Sequence, residues 1–295
     1  MCPHCQNSDS IIKRGKFTRD SDGKKIQRYQ CKKCLKSFSD QTLRFDYRQK
    51  KRRINQSVFR LLCKGMSQRG VAQVLGINKK SVASRVIRFG KESRKHLMAQ
   101  RCKIQDLEEV MFDEMESFEH TKLKPLTIPL MVDPQTRRIL GVSVGKIAAK
   151  GLLAKISVKK YGKRKCERAK VLDELFSFSK CMMKPKCILK SDESQHYPRV
   201  VRSYFPSGVH ERFKGRKPAV VGQGEMKKGG FDPLFALNQT AAMIRDNIKR
   251  LARRTWCTTK KVERLLDLLM MYAHYHNQKI AGVRMPRIWN CGISS

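Results

Sequence analysis

Two cysteine pairs near the N-terminus constrain the fold of this chain more than any other feature of its sequence. Cys2 and Cys5 form one C-x-x-C pair, Cys31 and Cys34 form a second, and residues 6–30 separate the two. Four thiolates on two tight turns are a ligand set for one tetrahedral zinc ion. We therefore predict a zinc ribbon over residues 1–40. Its Zn²⁺ would be structural, because four cysteine ligands leave no open position for chemistry.

The segment between the cysteine pairs has the pattern of a short β-hairpin. Ile11–Phe17 and Ile26–Gln30 are strand-like, and Asp20–Gly23 supplies turn residues. A redox C-x-x-C would instead follow a strand of a βαβ unit, which this sequence does not show. The other seven cysteines have no ligand spacing, and we interpret them as buried small side chains.

The chain is strongly basic, with 65 Lys+Arg against 25 Asp+Glu and a formal net charge of +40. Such an excess favours a polyanionic partner, because each neutralised phosphate releases counterions. No apolar run approaches the length needed to cross a bilayer, and the N-terminus lacks the basic and apolar regions of a secretory signal. These patterns predict a cytoplasmic protein with no membrane partner.

A basic linker at residues 41–55 precedes a region of helix signals at residues 56–100. Gly65 ends a first helix, and Ser67 is placed to cap a second. After a tight turn at Gly76, Asn78 is placed to cap a third helix. Three short helices with these turns predict a helix-turn-helix unit.

The side chains of this unit divide into an apolar set and a basic set. The apolar set predicts the packed faces and comprises Val58, Leu61, Leu62, Val71, Val74, Leu75, Val82, Val86 and Phe89. The basic set is assigned to the outer face of the third helix, where a recognition helix would enter a DNA major groove. We predict that its members contact DNA, namely Lys79, Lys80, Arg85 and Arg88.

A change of composition near residue 107 marks a further domain at residues 105–285, followed by a tail at 286–295. Three strand-like runs in succession, and then alternating helices and strand, predict an α/β domain with a mixed central sheet. The strand-like runs are Val110–Phe118, Leu123–Val132, Ile139–Val144 and Cys187–Leu189. The helix-like segments are 167–182, 198–204, 234–254 and 260–276.

Two acids of this domain suggest a catalytic site. Asp113 lies inside the first strand-like run, and Asp192 comes shortly after the fourth. If those strands are neighbours, the two carboxylates converge at one edge of the sheet. Paired carboxylates bind Mg²⁺, and two such ions assist the in-line displacement of a phosphoryl transfer.

Four segments together carry a resemblance to a known family: QCKKC, FDEMESFEHTKLKP around Asp113, KSDESQHYP around Asp192, and DPLFALNQTAAMIRDNIKRLARRTWCTTK at residues 232–260. With them the chain resembles bacterial insertion-sequence transposases, which join a zinc ribbon and a helix-turn-helix to an RNase H-like catalytic domain. The resemblance covers nearly the whole chain. It implies cleavage and joining of double-stranded DNA, at terminal repeats and target DNA, with Mg²⁺ or Mn²⁺. It also implies a nucleoid-associated protein that acts as a homodimer or larger assembly.

The resemblance also suggests the third residue of the site. The family usually has a glutamate on its late helix, and some members have asparagine, which is the residue here at Asn238. An amide oxygen still binds Mg²⁺ but does not act as a base. Glu225 and Asp246 remain alternative third ligands. Arg245 follows Asn238 by two helical turns and is expected to contact a DNA phosphate.

Two other functions fit parts of the sequence. A non-catalytic DNA-binding regulator would use only the cysteine pairs and the helix-turn-helix. An RNase H-like nuclease would use all of the chain but would cleave DNA without joining strands.

Overall fold

The structure is a computed structural model that describes residues 1–20, 23–42, 44–214, 232–252 and 255–288. The chain divides into two compact units, Met1–Ser57 and Val58–Ser295. Together they form a multidomain α/β protein with a mixed sheet, as predicted. Glu225, one of the alternative third ligands, lies outside the described residues.

The first unit is built on a three-stranded antiparallel sheet. Its strands are β1 (Ile11–Thr18), β2 (Lys25–Cys31) and β3 (Ser37–Ser39), in that order across the sheet. The predicted hairpin is thus confirmed, while the short third strand was not foreseen. The rings of Tyr29 on β2 and Phe38 on β3 stack with 5.4 Å between centroids, which stabilises this added pairing.

The predicted helices of residues 56–100 are α1 (Asn55–Leu62), α2 (Gln68–Val74) and α3 (Lys79–Arg101). Both predicted caps are present: Ser67 Oγ accepts from the Gly70 N–H at 3.0 Å, and Asn78 Oδ1 accepts from the Lys80 N–H at 2.8 Å. Gly76 has the positive φ that its turn requires.

Two side chains of these helices were assigned to the wrong face. Val74 is 64% exposed, because the buried stripe of α2 runs through Val71 and Ala72 instead. Arg85 is only 6% exposed, and its guanidinium donates to the Ser81 carbonyl at 3.2 Å. The cause is its spacing on α3: it lies three residues after one buried position and four before another, on the packed face.

The second unit contains a six-stranded mixed sheet. Its strands are β4 (Leu107–Phe118), β5 (Pro125–Val132), β6 (Ile139–Val142), β7 (Gly145–Lys146), β8 (Met183–Asp192) and β9 (Val209–Phe213). The order is β6-β5-β4-β8-β9, with β7 paired to β5. Strand β5 is antiparallel to β4 and β6, whereas β8 is parallel to both β4 and β9. The sequence predicted β8 as only three residues, and it did not predict β7 or β9.

Five further α-helices are described in this unit: α4 (Leu152–Tyr161), α5 (Arg168–Ser179), α6 (Tyr197–Tyr204), α7 (Phe235–Asn247) and α8 (Val262–Ile280). Helix α7 ends at Asn247, seven residues before the predicted end, because Ile248 takes extended backbone. The Asn247 carbonyl there accepts from the Gly65 N–H at 2.9 Å.

Helices cover the sheet and are joined to one another. Helices α5 and α6 pack with Phe112 of β4 and Leu189 of β8 in one apolar core. Helix α7 packs against β4 and β5. Helix α8 lies along α3, where Gly90 allows an approach so close that a Cβ atom there would lie 2.5 Å from Asp267 Cβ. Residues 58–100 of the helix-turn-helix region therefore pack as part of the second unit.

The cysteines outside the N-terminal pairs only partly match the expectation of burial. Cys63 and Cys187 are buried, but Cys102, Cys166 and Cys181 are exposed, because they lie at the ends and connections of helices. Cys257 is half-buried, and Cys291 lies outside the described residues. Among the described residues, no helix is both long and apolar enough to cross a membrane.

Candidate functional site

The four N-terminal cysteines meet at one point. Their sulfur atoms all lie within 4.8 Å of one another, with 3.7 Å between Cys2 and Cys34 and 3.6 Å between Cys5 and Cys31. All four are free thiols rather than disulfides. They lie close enough to bind a single metal ion, and thiolate ligands are consistent with structural zinc.

The sheet of the second unit brings Asp113 and Asp192 together. Met111 of β4 pairs with Lys190 of β8 in parallel register, so Asp113 and Asp192 are level with each other two residues further along. The strands are neighbours, as the sequence argument required. An open cleft of about 290 Å³ contains both acids, and its lining also includes Glu114, Glu116, Lys150, Arg168, Ser194, Gln195, His196 and Tyr197.

The environment of Asp113 disfavours its charged form. Burial, and then the nearby charge of Asp192, raise the pKa of Asp113 from 3.8 to about 6. Two donors to its Oδ1 act in the opposite direction, the Glu114 N–H at 2.6 Å and the Tyr197 hydroxyl at 3.0 Å. The two donors do not outweigh burial and the charge of Asp192, and a bound cation would offset the unfavourable charge.

The glutamates near Asp113 form ion pairs, whereas Asp113 and Asp192 do not within the described residues. Five glutamates on or beside β4 each pair with a basic side chain: Glu108 with Lys184 at 2.6 Å, Glu109 with Lys190 at 2.8 Å, Glu114 with Arg168 at 3.1 Å, Glu116 with Lys150 at 3.3 Å, and Glu119 with Arg164 at 2.9 Å. Within the described part of the chain, no Lys or Arg forms an ion pair with Asp113 or Asp192. The two aspartates are thus the acids of this cleft that remain available to a cation.

Tyr197 is a site residue that the sequence argument did not identify. It begins α6, is 1% exposed, and places its ring 4.9 Å from that of Phe112. Burial and the nearby carboxylates raise the pKa of Tyr197, so its hydroxyl remains a hydrogen-bond donor. Its position five residues after Asp192, within KSDESQHYP, was the available signal.

Arg168 was also missed. It begins α5 and pairs with the buried carboxylate of Glu114, which also accepts from the Thr127 hydroxyl at 2.5 Å. Glu114 is therefore neutralised and hydrogen-bonded within the protein, whereas Asp113, the residue before it, is not paired with a basic side chain of the described residues. The only sequence signal for a buried basic side chain was Glu114, which directly follows Asp113 on a strand and needs a partner.

The third residue of the predicted site is not among those that line the cleft. Asn238 is exposed on α7, and its amide donates to the Asp232 carboxylate at 3.0 Å. Asp246 is exposed in the last turn of the same helix, and Arg245 beside it is half-buried. The roles of these residues stay predictions.

The basic residues predicted to contact DNA have different environments. Lys79 and Lys80 are exposed in the first turn of α3, as a recognition helix requires. Arg88 lies further along α3 and is half-buried. Arg85 is buried, so its placement on the exposed face was wrong.

Comparison with known proteins adds no neighbour to these observations. No protein-family model matches the chain, and no curated protein shows a significant match. The assignment of function therefore depends on the site itself and on the resemblance in its motifs.

Proposed function

We propose that this chain is a DNA transposase, which binds the terminal repeats of a mobile element and cleaves and joins DNA strands. Its catalytic site would contain Asp113 and Asp192. The observation that carries the proposal is the pair of adjacent carboxylates with no basic partner among the described residues, in a chain of net charge +40. A buried charge without a partner is costly and is retained where function needs it.

The strand arrangement supports an RNase H-like catalytic domain. Three antiparallel strands, β4 to β6, are followed by β8 and β9, which run parallel to β4 and are reached through helices. This is the mixed sheet that the resemblance implies. The acid pair then lies on the first strand of the domain and at the end of β8, within two of the motifs that carry the resemblance.

The donor set fits Mg²⁺ or Mn²⁺. Asp113 and Asp192 would hold the cation through hard carboxylate oxygens. Asn238, which does not line the cleft, remains the third ligand only as the resemblance implies. The bound cation, one or two ions, would neutralise charge on the scissile phosphate. The net charge of +40 on the chain as a whole favours approach of the DNA backbone.

The remaining parts of the chain serve DNA binding in this proposal. Zn²⁺ at the four cysteines would hold the first unit folded. Lys79 and Lys80 would place the N-terminus of α3 against DNA, and Arg245 would contact a phosphate near the cleft. Two element ends must be joined in one complex, so we expect a homodimer or larger assembly on DNA.

The reaction in this proposal has two phosphoryl transfers. Water attacks a phosphodiester at the element end and releases a 3′-hydroxyl, and that hydroxyl then attacks a phosphodiester of the target DNA. Each step forms one P–O bond and breaks another, so no covalent protein intermediate and no energy source is required. The acid pair contributes by holding the cation and the reacting phosphate in place.

The test uses the zinc-loaded full chain, Mg²⁺, target plasmid, and a duplex that carries the inverted repeats flanking the coding sequence. We expect nicked and joined products on a denaturing gel. Asp113→Ala and Asp192→Ala should abolish cleavage while gel-shift affinity stays unchanged. Asp173→Ala is the matched control, because Asp173 is exposed on α5 outside the cleft lining. Cleavage that survives in either site variant would contradict the proposal.

The same assay separates the other two functions. Cleavage without joining would indicate a nuclease, and binding without cleavage would indicate a regulator. Asn238→Ala should be severely impaired, and a greater loss in Asp246→Ala or Glu225→Ala would identify a different third ligand.

A further inference from the structure

Each acid of the pair has one carboxylate oxygen already engaged by the protein. Oδ1 of Asp113 accepts from the Tyr197 hydroxyl at 3.0 Å and from the Glu114 N–H at 2.6 Å. Oδ1 of Asp192 accepts from the Ser194 N–H at 3.0 Å. Among the described residues, neither Oδ2 atom has a hydrogen-bond donor. Both carboxylates are therefore oriented with one oxygen held and one open.

Tyr197 connects the segment that follows Asp192 to Asp113 on β4. It follows Asp192 by five residues at the start of α6, and its ring packs against Phe112, the residue before Asp113. The hydroxyl reaches Asp113 from that buried position. One side chain thus connects the segment after β8 to the middle of β4.

We propose that Tyr197 is a positioning residue for cation binding: its hydroxyl holds Oδ1 of Asp113, so that Oδ2 of Asp113 and Oδ2 of Asp192 bind the divalent cation. This inference rests on the proposed function, since it concerns the cation of that site. In this proposal Tyr197 acts through Asp113 and is not itself a ligand of the cation. A carboxylate that is hydrogen-bonded by a second residue loses less freedom when a metal binds, and such partners are commonly worth ten- to a hundredfold in affinity.

The substitution that isolates this role is Tyr197→Phe. It keeps the ring that packs on Phe112 and removes only the oxygen that donates to Asp113. Helix α6 supplies a matched control in Tyr204→Phe, because the Tyr204 hydroxyl donates to Asp173 at 2.6 Å and lies outside the lining of the cleft. Both variants lose one phenol oxygen from the same helix, and far-UV circular dichroism checks that both fold.

The experiment titrates the zinc-loaded full chain with Mn²⁺ in the absence of DNA, and measures binding by calorimetry and by the loss of the free Mn²⁺ electron paramagnetic resonance signal. We expect the Kd of Tyr197→Phe to rise roughly tenfold, and the Kd of Tyr204→Phe to match the wild type. Raising the Mn²⁺ concentration should restore strand cleavage in Tyr197→Phe but not in Asp113→Ala.

The outcomes distinguish this role from the proposed function. Equal Mn²⁺ affinity in Tyr197→Phe and wild type would overturn the role of Tyr197 and leave the acid-pair site standing. An equal loss in Tyr204→Phe would indicate a general effect on α6 and would also overturn it. Absence of Mn²⁺ binding by the wild type, or binding that survives in Asp113→Ala, would overturn the site and this role together.

Discussion

Replacing Asp113 with asparagine should stabilise the cation-free protein although it removes a residue on which the proposed activity depends. The reason is that the folded protein holds this carboxylate half-buried beside Asp192, where its charge is unfavourable. Asparagine has nearly the same shape and keeps an oxygen that accepts from Tyr197 and Glu114, but it carries no charge. The substitution therefore removes the cost and retains the hydrogen bonds.

The magnitude follows from the pKa of Asp113, which is raised from 3.8 to about 6 on folding. A shift of one pKa unit corresponds to about 1.4 kcal/mol, so the charged form is disfavoured by ~3 kcal/mol at neutral pH. The cleft is open to solvent, and screening reduces the expected gain in the free energy of unfolding to about 2 kcal/mol.

The effect should depend on pH in a defined direction. Between pH 4 and 6 the folded state of the wild type binds more protons at Asp113 than the unfolded state does. This residue therefore makes stability fall as the pH rises through that window, and the loss is complete above pH 6. Asp113→Asn should be more stable than wild type at pH 7 and should lose that advantage as the pH falls to 4.

The assay is urea unfolding followed by circular dichroism at 222 nm, with purified zinc-loaded protein and without added Mg²⁺. No chelator is used, because it would also remove zinc from the first unit. Asp246→Asn is the control, since Asp246 is exposed on α7, and its effect should stay within about 0.5 kcal/mol at both pH values. No stabilisation of Asp113→Asn at pH 7, or a gain of equal size at pH 4, would refute the reasoning.

Three further predictions concern other parts of the chain. Cys31→Ser should lose stoichiometric zinc and unfold the first unit, measured by metal content and amide NMR dispersion; a folded, metal-free variant would contradict a zinc ribbon. Gly90→Ala should lower the free energy of unfolding by about 2 kcal/mol, because its Cβ would lie 2.5 Å from Asp267 Cβ; an unchanged urea midpoint would disprove this close packing. The double variant Lys79→Ala and Lys80→Ala should weaken DNA binding and reduce the salt slope of log K by about 2; an unchanged slope would exclude both lysines from the DNA contact.

Features set by local chemistry were readable from the sequence. Ser67 and Asn78 cap helices because their side chains reach backbone N–H groups two or three residues ahead. The four cysteines were recognisable because thiolate spacing alone defines the ligand set. Arg85 was misplaced because its charge was weighed above its spacing, although the spacing put it on the packed face of α3.

Features set by long-range pairing were not readable in the same way. Asp113 and Asp192 were candidates from the sequence, but their meeting depended on β4 and β8 being neighbours, which the sheet decides. The hydrogen bond from Tyr197 to Asp113 joins residues far apart in the chain, and no periodicity signals it. The role of Asn238 still rests on the motif around it, because the spacing of residues along the chain does not show whether its side chain reaches the two aspartates.

The contrast between Glu114 and Asp113 gives the strongest reason to regard the acid pair as functional. Arg168 is nearly buried within the cleft lining and pairs with Glu114 at 3.1 Å, which neutralises that carboxylate. An arginine paired instead with Asp113 would have offset the unfavourable charge in the cleft. The chain has 65 basic residues, so a shortage of cations does not explain why the described residues provide none for Asp113 or Asp192. The fold neutralises each neighbouring glutamate of β4 but leaves these two aspartates without a basic partner among the described residues, which is the arrangement that the proposed cation site requires.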